Sequence, residues 1–301
     1  MTFFNDPVVL NGGKAFVAVL MILSNSILVF VTYKTKALNS TCNWLMAANS
    51  ACIALYSLTY FVQFGIVLLR PSGIPLWQCC LIIPVPLFFL CCQYILFPLI
   101  ALDRLIGVIF PLKQMDGRYK RRYMFFALIA STSFGLFIVA ASVNNSIINF
   151  SENLVYCLTL EPAPSYFATC SWALNITSAI LYLALWVRVK LLSSCVSQKT
   201  KLNDAVTQKV LFSLMVIFLA EMCGWASYWT VKLVLNQFDV TALTQWYVLS
   251  YISYAMQLTL ALNAPILYAL STDYRKAFQA VLRIGKITPQ PAKILFVVPV
   301  K

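Results

Sequence analysis

Seven stretches of about twenty apolar residues, each long enough to cross the hydrocarbon core of a bilayer, recur along this chain. They are Ala15–Tyr33, Trp44–Leu69, Trp77–Phe110, Tyr123–Val143, Tyr166–Val189, Val210–Val234 and Leu243–Leu270. In lipid a segment must satisfy its backbone hydrogen bonds internally, so each reads as a helix. The third exceeds the core thickness and must tilt or project beyond it. Of the 301 residues 61% are hydrophobic and 10% charged, too little charge to coat a soluble fold, where about 25% is usual. The fold class is an all-α membrane protein: a seven-transmembrane helix bundle spanning residues 15–270, after an N-terminus of residues 1–14.

The distribution of charge orients the bundle. Basic residues in short loops favour the cytosol. With the N-terminus outside, nineteen of the 22 Lys and Arg residues fall on the cytosolic side, six of them in the tail 271–301. Lys14, Arg70 and Lys232 remain outside. The net charge of +13 is therefore a collar facing the membrane surface, and nucleic acid is not an expected partner. No basic leader or cleavage site precedes the first span, which serves as an uncleaved signal.

Chemistry is constrained by what the chain lacks. There is no histidine, the commonest general base and metal ligand. The ten cysteines include the doublets Cys79/Cys80 and Cys91/Cys92 but no CxxC pair. No enzyme, metal or cofactor is expected. Beyond the seventh span, Tyr274, Phe278, Val281 and Leu282 recur at helical spacing, with Arg275, Lys276 and Arg283 on other faces. This predicts a short amphipathic eighth helix lying in the membrane interface, its start capped by Ser271 or Asp273.

Three motifs stand at helix ends. The third span closes with Asp103-Arg104-Leu105, and Pro111 follows eight residues after the acid. The seventh ends Asn263-Ala264-Pro265-Ile-Leu-Tyr268; a proline inside a spanning helix frees a carbonyl and makes a bending point. Cys79 lies twenty-four residues before Asp103, at the opposite end of the same span. Together these resemble the rhodopsin-like G-protein-coupled receptors, with Leu105 in place of the usual tyrosine and the asparagine of the last motif displaced by one. The runs Thr32-Tyr-Lys-Thr-Lys, Asp103 to Pro111 and Ser271-Thr-Asp-Tyr-Arg-Lys-Ala-Phe are most similar to nematode serpentine chemosensory receptors of class sx.

That resemblance implies a receptor of the plasma membrane, in sensory neurons, that binds a small-molecule or peptide ligand outside and activates a heterotrimeric G protein inside. It implies a disulfide from Cys79 to Cys157, and a coupling switch built on Asp103, Arg104, Pro111, Asn263, Pro265 and Tyr268. In the inactive state Arg104 would pair with Asp103. Asn25 stands where the family carries a buried asparagine, and Trp225 where it carries a toggle tryptophan, without the proline that normally follows. Ile53 replaces the aspartate that binds sodium. Pro86 occupies the position where amine receptors carry an aspartate, and the seventh span has no retinal-binding lysine.

The implied ligand pocket offers Phe88, Phe89, Tyr94, Ser178, Trp225, Trp229, Gln245 and Tyr254, suited to a weakly polar or aromatic ligand. Glu221, inside the sixth span, is a functional candidate because an intramembrane carboxyl is costly: it could meet a cationic ligand group, switch by protonation, or bond a neighbouring backbone. Asn149 opens a glycosylation sequon. Two other readings stay open: a transporter or channel, which would want several buried charges or repeats, and a receptor-derived scaffold that no longer signals.

Overall fold

The computed structural model describes residues 6–70, 72–110, 117–148, 154–161, 163–164, 166–195, 201–235, 237–238 and 240–282. Pro111 and Asn149 lie outside the described residues. The first helix, Pro7–Lys34, begins well before the apolar run does. Asp6 causes this: its side chain accepts from Val8 N at 2.8 Å, and Pro7 is tolerated in the first turn, where no backbone partner is needed. The fourth, fifth and sixth spans are continuous, at Gly117–Ile148, Tyr166–Cys195 and Lys201–Leu235.

The first span is continuous as well; the second, third and seventh are broken, and each break has a local cause. The second runs Thr41–Tyr56 and Leu58–Leu69; between them Ser57 Oγ donates back to Ile53 O at 2.7 Å, a bond that bends helices. The third runs Leu76–Ile82 and Pro84–Ile109, because Pro84 and Pro86 cannot donate to the turn before them. The seventh is Ala242–Ala261 and Asn263–Leu270. Pro265 leaves the Ala261 carbonyl without its helical donor, and Ser24 Oγ of the first span donates to it at 2.7 Å. Asn25 Nδ2 adds a bond to Leu260 O at 3.1 Å, so the first span grips the seventh at its break.

The third span is central, packing against the second, fourth and fifth. Large apolar residues such as Phe125, Phe126, Leu136 and Phe137 of the fourth face outward, as lipid allows. The interior falls into two main clusters. At one end, where most basic residues lie, Leu28, Val31, Leu45, Leu99, Ile100 and Leu267 pack with Tyr274 and Phe278 of the tail helix Thr272–Leu282. At the other, Tyr56, Tyr60, Tyr94, Phe167, Trp225, Tyr228 and Trp229 form an aromatic cluster. We refer to these as the basic end and the disulfide end.

Candidate functional site

At the disulfide end a disulfide joins Cys79 to Cys157, with 5.4 Å between the Cα atoms. It pins the segment that follows against the bundle. Just before it, strands β1 (Ile74–Pro75) and β2 (Leu154–Val155) pair antiparallel. Gly73 permits that pairing: its φ is +86°, and a Cβ there would meet Val155 O at 2.9 Å. Cys157 has φ +61°, which turns the chain inward so that Leu158, Thr159 and Leu160 are buried over the helices. Thr159 and Thr59 share a hydroxyl bond of 2.7 Å.

Beneath this strap lies a narrow cavity, partly open to solvent. Leu158–Leu160 roof it; Tyr56, Tyr60 and Gln63 of the second span, Trp225 and Tyr228 of the sixth, and Ser253 and Met256 of the seventh line it. Tyr56 and Tyr60 share a hydroxyl bond of 2.9 Å. Trp225 is fully enclosed, with the Tyr94 ring 5.1 Å away. Trp229 Nε1 donates to Tyr94 Oη at 3.4 Å. Rings locked by this many neighbours hold the shape of the cavity with little freedom to lose.

The sequence-derived pocket residues are not all brought together. Trp225 lines the cavity, and Tyr94 and Trp229 buttress it. Tyr254 instead donates to Leu10 O at 2.6 Å, tying the seventh span to the first. Phe88 turns to the fourth span, so close that a Cβ on Gly135 would lie 2.7 Å from its ring. Gln245 is part-buried near the end of the seventh span and does not line this cavity. Tyr56, Tyr60 and Gln63 were missed, although their i, i+4, i+7 spacing marks a single helix face.

Glu221 lies one helical turn below Trp225 and is 1% exposed. Gln93 Nε2 donates to its Oε2 at 3.1 Å. Asn263 approaches the same carboxyl without meeting hydrogen-bond geometry. One acid therefore brings together the third, sixth and seventh spans near the break at Leu262. A buried acid is tolerated only where such donors surround it.

At the basic end, Arg104 Nη2 donates to Asn43 Oδ1 of the second span at 3.4 Å, with Cys42 and Tyr274 in electrostatic reach. Asp103 is fully buried and acts on Arg104 through space, while the Tyr119 and Tyr123 side chains of the fourth span also feel its charge. Arg104 thus adds an interhelical contact with Asn43 to its through-space interaction with Asp103. Adjacent residues on a helix point about 100° apart, so the acid faces the fourth span and the base the second. Tyr268 packs edge-on against Phe278 at 5.8 Å, and Arg275 Nε donates to Tyr268 O at 3.1 Å, docking the tail helix onto the seventh span.

These features have a family setting. The sequence model for serpentine type 7TM GPCR chemoreceptors, Srsx, matches residues 18–282. The matched region begins in the first span and ends with the tail helix. No curated protein matches the chain.

Proposed function

As this chain belongs to the Srsx family of serpentine type 7TM GPCR chemoreceptors, we propose that it binds a ligand under the disulfide-tethered strap and activates a heterotrimeric G protein. Chemoreceptors are not an enzyme class, and the multi-pass helices make it a membrane protein. The proposal places it in the plasma membrane of sensory neurons with its N-terminus and disulfide end outside. The basic end then meets the G protein. Distribution of basic residues supports that orientation.

The observation that carries the reading is the contact of Arg104 with Asn43. An arginine of the third span that bonds Asn43 of the second at 3.4 Å has two alternatives: it stays with the second span, or it releases when the helices shift. A ligand that favours the released arrangement moves the population toward it. Asn263, Pro265 and Tyr268 supply the second moving part, since the seventh span is already broken at Leu262 and bears the tail helix. Glu221 connects the two ends through Gln93 below the cavity.

The test is G-protein activation by energy transfer in cells bearing the chain at their surface, with odorant and small-peptide libraries and Arg104→Ala alongside. A ligand response that disappears in Arg104→Ala at equal surface expression supports coupling through Arg104. A response that survives in the variant removes that residue from the switch.

A further inference from the structure

Lys14 sits on the first span at the disulfide end and is 0% exposed. Its Nζ has no hydrogen-bond partner among the described residues. Its shelter is the ring of Trp246, whose centroid is 5.8 Å away. A cation over an aromatic face recovers only part of a lost hydration shell. Trp246 is buried too, and its Nε1 is likewise without an acceptor. From the sixth span, Lys232 lies over the Trp229 ring at 5.3 Å.

The charged group that acts on both lysines is Glu161, four residues beyond Cys157. Its Oε2, however, accepts from the Leu158 backbone N–H at 2.8 Å. Two cations therefore face a single carboxyl, and that carboxyl is already engaged by its own loop. Buried amides such as Gln257 and Asn263 also lack hydrogen-bond partners among the described residues, but they are neutral, whereas Lys14 carries an ammonium. A buried cation without a hydrogen-bond partner is expensive, and the unpartnered Trp246 N–H beside it adds to the demand for an acceptor that carries negative charge.

We propose that this corner receives the acidic group of the ligand: the receptor binds small carboxylic acids whose apolar body lies among Tyr56, Trp225, Tyr228 and Met256. Leu158 links the two parts of the site. It roofs the cavity and also packs with Leu10 and Trp246 beside Lys14. Displacing the strap at this one residue opens a path from the cavity to the ammonium. The carboxylate then accepts from Lys14 Nζ and Trp246 Nε1, balances the second lysine, and leaves the aromatic cluster to select the body. This deepens the receptor reading and rests on it.

The experiment measures binding directly, without a G protein. The full chain in lipid nanodiscs is heated with phenylacetate, indole-3-acetate or octanoate, each against its primary amide. At least one acid should raise the unfolding temperature saturably while its amide does not. In Lys14→Met the half-maximal concentration should rise about tenfold or more, with unfolding in the absence of acid at the same or a higher temperature, because a buried charge is gone. Lys14→Arg keeps the charge and should keep acid selectivity; it carries the test if Lys14→Met does not fold. The proposal is overturned if amides match the acids, if Lys14→Met responds like the parent, or if no acid shifts the folded protein. Acid binding without G-protein activation would sustain this inference and sink the coupling reading; activation by neutral ligands alone would do the reverse.

Discussion

Each end of this bundle encloses a cation, Arg104 in part and Lys14 wholly, and the two are treated differently. At the basic end Arg104 reaches across to Asn43 and lies beside Cys42 and Tyr274, in a cluster dominated by aliphatic side chains. At the disulfide end Lys14 is more deeply enclosed, among aromatic rings, and its ammonium has no acceptor among the described residues. A folded protein satisfies its buried polar groups unless something else is meant to satisfy them. On that principle the ends differ in degree: one nitrogen of Arg104 has an acceptor in Asn43 while its Nε and the Tyr274 hydroxyl have no hydrogen-bond partner among the described residues, whereas the Lys14 ammonium has none at all. The disulfide end is already built around a group from outside.

The largest expected effect separates the ends by function. Arg104→Ala should reduce ligand-driven G-protein activation to background while ligand affinity, measured on the isolated receptor, changes little. A parallel loss of affinity would mean that the arginine holds the whole bundle together, and the contrast between ends would fail. The next effect separates them by stability. Among the described residues a disulfide is present only at the disulfide end, where it spans a sequence separation of 78. Cys79→Ser or Cys157→Ser should therefore lower stability by about 2–5 kcal/mol and loosen the strap over the cavity. Thermal unfolding in nanodiscs reads both, and a loss under about 1 kcal/mol would show that the strand pair and the Thr59–Thr159 bond hold the strap without it.

Glu221 stands between the two ends and tests whether they communicate. Glu221→Leu leaves Gln93 Nε2 without its acceptor, which should lower stability by about 1–3 kcal/mol. Glu221→Gln keeps the shape and should cost much less, so any change in its potency or in the pH dependence of activation reports function rather than folding. If Glu221→Gln leaves both unchanged, the carboxyl is a structural bridge between helices and the ends are coupled by other contacts.

How much of this was readable beforehand depends on whether a feature is local. Spans, tail helix and the broken seventh span follow from apolar runs and from Pro265, which acts on its own carbonyl partner four residues back. The Cys79–Cys157 pairing came with the family resemblance. What could not be read is interhelical rotation. Phe88 faces the fourth span and Tyr254 the first because the azimuth of each helix is set by neighbours, and a sequence shows only spacing along one helix. The pairing of Glu221 with Gln93 is hidden for the same reason, across 128 positions. Burial of Lys14 is hidden in another way: the sequence places it outside, just before the first apolar run, and the early helix start at Pro7 packs its side chain into the bundle.

The smallest expected effect concerns the loop side of the disulfide end, where Glu161 is half-buried with its carboxyl turned inward. Burial lifts that carboxyl from its ordinary 4.5 to about 7, opposed by the Leu158 and Cys157 backbone N–H groups and by Lys232 and Lys14. A carboxyl whose folded-state value lies above its unfolded one favours the fold most when protonated. Its contribution is complete below the unfolded value, declines as pH rises toward 7, and is lost above that. The chain has no histidine, and Lys14, which burial lowers to about 7, titrates only at the upper edge of this window and with the opposite sign. The unfolding temperature of the parent should fall between about pH 5 and pH 7.5, and Glu161→Gln should flatten that part of the profile. Arg104→Ala, at the other end, should leave the slope as it is. A parent profile already flat across the window would mean that water reaches the Glu161 carboxyl, and that the disulfide end is less sealed than its buried lysine implies.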